Sequence, residues 1–541
     1  MALRFGSQLN TTRPTSTTPP AKAKAGAAGK AASADKASSK KGANVEDASA
    51  HTGMAALDVD ATPLGPAVAY VAPSANEQMG EGVKAGALGT DGTKAASLLQ
   101  EAAGLAPTPR ERAQQALNAV KDPPADHPHM VHMADVRQRL EKAGLPSSAD
   151  GVRAYVLDNI SGRDPHGHQV TRALAGPVGP GRGADVSLHE QQWDVTKAHG
   201  SYKLSEPQLQ RMQEAHALNG KMNAGDASLD DAARSVVLNT EEIMHVRRSD
   251  LAAIADKHPQ GQPAVINMSY GQDLARSTYY AANAALNAPP GSKLHNEAMA
   301  ALKLKDGEEL SFDEARNRLG GILQTKAQAL AKGELNAGIQ DARADLADAV
   351  KNANDKGLVV VTTSGNSAEI GSWFGDTKAS TDLSDKVPGL IHVGATDLGF
   401  DAKNLGDEKM AGFSAHGDVE VSAPGNNVPV AAKAPTTLSA LGKALKNMPT
   451  GGIKSGLGGM RKPAGPIKAI AGDVDGTSFA SPYVSGAVAL MMKANPAITP
   501  AQVHDILTSK AATVNIAGEQ RDGAGALDVV KAVQMAKDLA P

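Results

Sequence analysis

The chain has 541 residues and a formal net charge of −3. That is long enough for a large catalytic domain with extensions, and too close to neutral for bulk charge to point to nucleic acid or a membrane surface. Cysteine is absent, which excludes disulfides and thiol chemistry and fits a reducing compartment as well as many secreted bacterial proteins.

No apolar run reaches the length of a membrane span. Met1 to Gln8 lacks the apolar core of a secretory signal peptide. The expected location is therefore the cytoplasm, or outside by a route that needs no signal peptide. Residues 1–105 are rich in Ala, Gly, Ser, Thr, Pro and Lys. They bury too little to offset the entropy of ordering, so this extension is expected to be disordered. Its basic residues, from Arg4 to Lys41 against Asp35 alone, have no interleaved aromatics, and a solvated linker is favoured over a nucleic-acid or lipid contact.

Pro109 to Leu117 and Asp135 to Leu140 read as helices. Between them His127, His129 and His132 match no compact zinc pattern, and surface histidines are expected. Val152 to Asp158 is a β-branched and aromatic run that ends in an acid and is followed by the breakers Gly162, Asp164 and Pro165. It predicts a buried strand with Asp158 at its C-terminal end, where open α/β sheets gather their ligands.

Residues 190–245 are polar and helix-like, with Leu209, Met212, Ala215 and Leu218 near helical spacing, and Ser249 to His258 predicts a separate helix. Ala264 to Met268 reads as a buried strand leading to Ser269, Tyr270 and Gly271. A second polar, alanine-rich insertion spans 275–335. An amphipathic helix then runs from Ala344 to Lys356 and is ended by Gly357. The strand Leu358 to Thr363 leads to Ser364-Gly365-Asn366. Residues 435–470 read as a Gly/Lys-rich insertion.

Asp475-Gly476-Thr477-Ser478-Phe479-Ala480-Ser481-Pro482 runs straight into an uncharged, small-residue helix ending near Met492. Without a polar face, that helix should be buried. Pro482 is expected in its first turn, where no backbone donor is lost. A helix that begins beside Ser478 aims unpaired N–H groups and its positive dipole end at the hydroxyl, which suits a nucleophile that must stabilise an oxyanion. Thr499-Pro500 starts a capped helix.

The Gly476, Thr477, Ser478, Ala480 and Pro482 pattern resembles the Gly-Thr-Ser-x-Ala-x-Pro signature of the subtilisin-like serine proteases, the subtilases. Val265 to Ser269 resembles the family's Val-Ile-Asn-Met-Ser strand, Ser364-Gly365-Asn366 its Ala-Gly-Asn, His166-Gly167-His168-Gln169-Val170 its His-Gly-x-x-Val helix, and Pro388 to Ala395 and Asp418 to Gly425 two of its core strands. The resemblance covers about residues 150–515. It implies an α/β fold of three layers, with a mostly parallel central sheet and helices on both faces.

It also implies a catalytic Asp158, His166 and Ser478, in the chain order Asp-His-Ser known for subtilisin. Asn366 would donate to the oxyanion, and Ser269, Tyr270 and Gly271 would pair with an extended substrate. Asn159, Ile160, His168 and Arg172 depart from the family pattern. His199 and His168 are rivals to His166; the first is followed by a poor helix and the second fits a packing role.

The expected organisation is an extension at 1–105, a helical lead-in at 106–150, a catalytic domain at 151–515 with its insertions, and a C-terminal helical tail at 516–541. The expected function is a serine endopeptidase acting on proteins or peptides. The alternatives are an impaired protease fold kept as a binding module, and a translocated effector whose tail is an address. No cofactor, metal site or nucleic-acid partner is expected. The resemblance admits structural calcium, but no acidic loop supplies a site. Oligomeric state is left open.

Overall fold

The computed structural model describes residues 107–541 apart from 162–163, 193, 197–200, 272, 306–307, 376–386, 400–407, 416–418, 434–469 and 517–522. The extension at 1–105, nearly all of the 435–470 insertion and His199 lie outside the described residues.

The main sheet begins with β1 (Arg153–Asp158), β2 (Asp185–Glu190), β3 (Ala264–Met268), β4 (Leu358–Thr363), β5 (Leu390–Asp397), β6 (Lys409–Met410) and β7 (Val421–Pro424). The pair β8 (Val428–Lys433) and β9 (Ile470–Val474) makes a separate antiparallel ribbon, and β10 (Thr513–Val514) and β11 (Ala526–Leu527) close the main sheet. The sheet order is β10-β11-β7-β5-β4-β3-β1-β2. Pairing is parallel from β2 through to β11; β10 on β11 and β6 on β5 are antiparallel.

The chain leaves β1 for the edge strand β2 and then crosses back to β3 on the other side of β1. This is a topological switch point, and ligands of open α/β sheets bind outside the strand ends beside it. Asp158 ends β1 and Ser269 follows β3, so both stand at that crevice.

Successive strand residues face opposite sides of the sheet. Tyr155, Leu157, Ile266, Met268, Leu358 and Val360 join one apolar core. Ala154, Val156, Val265, Val359 and Val361 join the other. The first core lies under α4 (Glu206–Ala224), α5 (Leu229–Ala255), α6 (Leu274–Asn287), α7 (Lys293–Leu302), α8 (Phe312–Lys332) and α9 (Asn336–Asp355). The second lies under α2 (Pro128–Lys142), α3 (His166–Ala175), α11 (Thr477–Ala494), α12 (Pro500–Leu507) and α13 (Val529–Asp538), joined by α1 (Pro109–Asn118). The short α10 (Ala368–Trp373) follows β4. The result is the expected three layers.

Three expectations change. The helices expected before 245 and from Ser249 are one helix, α5, begun by a capping box between Ser228 and Asp231 and free of Gly and Pro throughout. Its length is mostly buried, with Glu241, Arg247 and Asp250 inside.

The lead-in histidines are not surface groups. His129 is 3% exposed, with Nε2 2.8 Å from the Asn426 carbonyl, and His132 Nε2 is 2.8 Å from the Tyr483 hydroxyl. Burial pushes their pKa values down to about 3 and about 4. They seat α2 on α11 and the β7–β8 turn as neutral rings.

Third, α11 begins at Thr477, so Pro482 lies inside it and not in its first turn. A proline there removes the N–H that would bond the carbonyl four residues back, at Ser478. The Ser269 hydroxyl takes that carbonyl instead, at 2.8 Å.

Candidate active site

Asp158 is 1% exposed at the end of β1. Its Oδ1 accepts the Asn159 N–H at 2.7 Å. Both carboxylate oxygens contact Nδ1 of His166, at 2.8 and 2.9 Å. The ring stands at the start of α3, which comes close to β1 because Gly167 has no side chain. A Cβ there would lie 2.9 Å from the Asn159 carbonyl and 3.0 Å from the Asp158 Cβ.

Desolvation pulls the His166 pKa down, but the Asp158 charge and hydrogen bond outweigh it and hold the value above the ordinary 6.5. The positive charge of Arg276 opposes them. His168 is half-buried two residues along. Burial and the cations Arg172 and Arg112 lower its pKa, which disfavours it as a proton carrier.

Ser478 is half-buried in the first turn of α11. No side chain of the residue before the helix caps it, so its leading N–H groups look for other acceptors. The Thr477 N–H goes to Asn366, and the Phe479 N–H to the Gly476 carbonyl. The Ser478 hydroxyl donates to the Ser269 carbonyl at 3.0 Å.

The structure brings Asp158 and His166 into direct contact and sets the His166 ring 5.6 Å from the Phe479 ring, next to Ser478. Among the described residues no hydrogen bond joins His166 to Ser478. The Ser478 hydroxyl is turned to the Ser269 carbonyl instead.

Asn366 follows β4 through Gly365, whose φ of +102° is a backbone state that side-chain-bearing residues rarely adopt. A Cβ on Gly365 would also stand 3.0 Å from the Asp273 carboxylate. The Asn366 Oδ1 accepts from the Thr477 N–H at 2.8 Å and the Thr477 hydroxyl at 2.7 Å. These two bonds orient the amide. They leave Nδ2 as the free donor, near Gly476, 3.2 Å from the point a Cβ of that glycine would occupy. Thr363 closes the arrangement through the Thr477 hydroxyl.

Of the expected substrate strand, Ser269 is buried and exchanges hydrogen bonds with Ser478. Its hydroxyl also meets Ser481 Oγ and Asn267 Nδ2, both at 2.8 Å. Tyr270 is buried, its hydroxyl donating to Asp250 and its carbonyl accepting from Arg247 at 3.1 Å. Gly271 is exposed beyond them.

Sequence reasoning missed Asp250 and Arg247, although charged residues inside an apolar helix are a readable signal of buried partners. It also missed Arg172 as more than a departure. That guanidinium is 4% exposed, pairs with Asp164, and holds the carbonyls of Ala116 (2.9 Å) and Val430.

Among the described residues no group of three or more His, Asp or Glu side chains converges to hold a metal ion. Among them, too, no helix is long and apolar enough to cross a membrane.

Residues 239–526, just over half the chain, match the model of the subtilase family, peptidase S8. That span contains Ser269, Asn366 and Ser478, while Asp158 and His166 precede it. No curated protein sequence matches.

Solved structures similar to the chain include fervidolysin from Fervidobacterium pennivorans, a keratinolytic enzyme related to subtilisin, at 22% identity over 35% of this chain and 24% of that one, with a TM-score of 0.24. The epidermin leader peptide processing serine protease of Staphylococcus aureus is similar at 14% identity over 78% and 84%, TM-score 0.34. The protease MycP1 with its N-terminal propeptide removed is similar at 18% over 74% and 96%, TM-score 0.33. With its parallel sheet, its serine at a buried helix start and the family match across that helix, the chain belongs to the subtilase family of serine proteases.

Proposed function

We propose that the protein is an endopeptidase that cuts peptide bonds with Asp158, His166 and Ser478. The observation that carries the reading is the contact of His166 Nδ1 with both oxygens of Asp158, which fixes the tautomer and leaves Nε2 as a proton acceptor. Ser478 Oγ attacks the peptide carbonyl carbon as His166 Nε2 takes its proton. The carbonyl oxygen becomes an oxyanion, held by Asn366 Nδ2 and a leading N–H of α11. His166 then gives the proton to the amine nitrogen as the C–N bond breaks. Water, deprotonated by the same ring, splits the acyl ester and restores the hydroxyl. Ser269, Tyr270 and Gly271 pair with the backbone of an extended substrate at the β3 exit.

Fluorophosphonate labelling tests this. The wild-type protein is expected to be labelled at Ser478 and to release internal fragments from an unfolded protein. Ser478→Ala, checked for folding by circular dichroism, is expected to lose both. Undiminished labelling in that variant, or an unlabelled wild type, would overturn the assignment.

A further inference from the structure

Arg276 lies in the first turn of α6, directly after the β3 exit, and is half-buried. Its backbone N–H is held by Asp273 Oδ1 at 2.8 Å. That carboxylate also lies against Gly365, the residue before Asn366, so the start of α6 is packed on the oxyanion loop. The positive charge of Arg276 acts against protonation of the His166 ring. The side chain is held in place: Nε donates to the Tyr280 hydroxyl at 3.1 Å, and the guanidinium lies 5.8 Å from the Tyr280 ring.

The neighbouring cation is already occupied. Arg316 pairs with Asp313 at 2.7 Å and stacks on Tyr279 and Trp373, which joins α6 to α10. Arg276 differs. Among the described residues no carboxylate lies within ion-pair distance of it.

A fixed, half-buried cation on a helix start that follows the substrate strand and packs on the oxyanion loop favours negative charge nearby. We infer that Arg276 makes the enzyme prefer substrates with an acidic side chain beside the bond that is cut, where the carboxylate pairs with the guanidinium. This rests on the reading of the cleft as a peptidase site.

The test uses the full chain and peptides blocked at both ends that differ only by Glu or Gln at each position flanking the cut. At one position Glu is expected to exceed Gln in kcat/KM by about fivefold, the strength of a partly exposed ion pair. That ratio is expected to fall toward one in concentrated salt. Arg276→Gln should abolish the ratio, Arg276→Lys should keep part of it, and Arg276→Glu should turn the preference toward Lys. A matched peptide with an unblocked C-terminal carboxylate separates recognition of a side chain from recognition of a chain end. Preference for the chain end alone overturns the inference.

So does equal cleavage of Glu and Gln peptides at every position, or a ratio unchanged in Arg276→Gln. Should Arg276→Gln fail to fold, an acid preference that persists unchanged in concentrated salt overturns it in the wild type. Cleavage without acid preference refutes the role of Arg276 and leaves the active-site assignment standing; absence of fluorophosphonate labelling refutes both.

Discussion

Ser269 and Ser478 exchange hydrogen bonds: the Ser478 hydroxyl donates to the Ser269 carbonyl at 3.0 Å, and the Ser269 hydroxyl donates to the Ser478 carbonyl at 2.8 Å. The second bond answers a vacancy made by Pro482, which has no N–H to give the carbonyl four residues before it. Removing the Ser269 hydroxyl strands a buried acceptor, so Ser269→Ala is expected to cost about 1–3 kcal/mol. Pro482→Ala restores an intrahelical donor. The cost of Ser269→Ala should therefore be smaller in the Pro482→Ala background, as read by urea unfolding of the four proteins in a double-mutant cycle. Equal costs in both backgrounds would show that the Ser478 carbonyl does not depend on Ser269.

On the proposed mechanism, His166 is expected to set the acid limit of activity. Its pKa stands above 6.5 because Asp158 outweighs desolvation. The protonated ring cannot accept the serine proton, so kcat/KM is expected to fall as pH drops through a value above 6.5. Asp158→Asn removes the charge and should move that limb downward while lowering kcat about 10⁴-fold, the scale seen when the same carboxylate is lost from other serine proteases. A pH–rate profile for each protein reads both effects. A limb that stays put in Asp158→Asn would separate the two residues functionally.

How the sequence foreshadowed the site depends on the range of each interaction. The runs at 153–158, 264–268 and 358–363 read as strands because they are short, continuous apolar runs with β-branched or aromatic residues, the pattern of strands buried on both faces. The positions of Asp158, His166, Asn366 and Ser478 beside element ends were legible because local chemistry marks those ends. Arg172 was not. Its partners Ala116 and Val430 lie 56 and 258 residues away, and no local pattern encodes such a pairing. The same holds for α5, whose polar residues read as a solvated insertion. Glu241 is fully buried because Arg211, on another helix, reaches it at 2.9 Å. Pro482 was misplaced by a turn because helix ends are the least local part of a helix signal.

Thr477 is expected to matter through Asn366. Asn366→Ala should lower kcat about 10²–10³-fold with KM little changed, the size known for the corresponding amide in a subtilisin. Thr477→Val removes one of the two donors that hold Asn366 Oδ1, so the amide can turn its oxygen toward the developing charge. Its kcat should fall less than that of Asn366→Ala, and Thr477→Ser, which keeps the hydroxyl, should restore it. Steady-state kinetics on one peptide distinguish these. A loss in Thr477→Val that Thr477→Ser does not repair would assign the effect to packing of the methyl group.

Asp250 links stability to pH at the floor of the cleft. It is 1% exposed and accepts from the Tyr270 hydroxyl and, at 3.0 Å, from the Gln192 N–H. Burial raises its pKa from 3.8 to about 7. The two hydrogen bonds oppose the shift, and the nearby charge of Asp158 adds to it. A folded-state pKa above the unfolded value means that the native state holds this proton more tightly. The resulting stability is fully present below pH 3.8 and is lost as pH rises toward and through about 7. Asp250→Asn keeps the shape and cannot ionise. Between pH 5 and pH 8 the wild-type Tm should therefore drop relative to the Asn variant by several degrees, other titrating groups being common to both proteins. Parallel Tm curves across that window would mean that Asp250 is charged in the fold at both pH values, with its ionisation sustained by Tyr270 and Gln192.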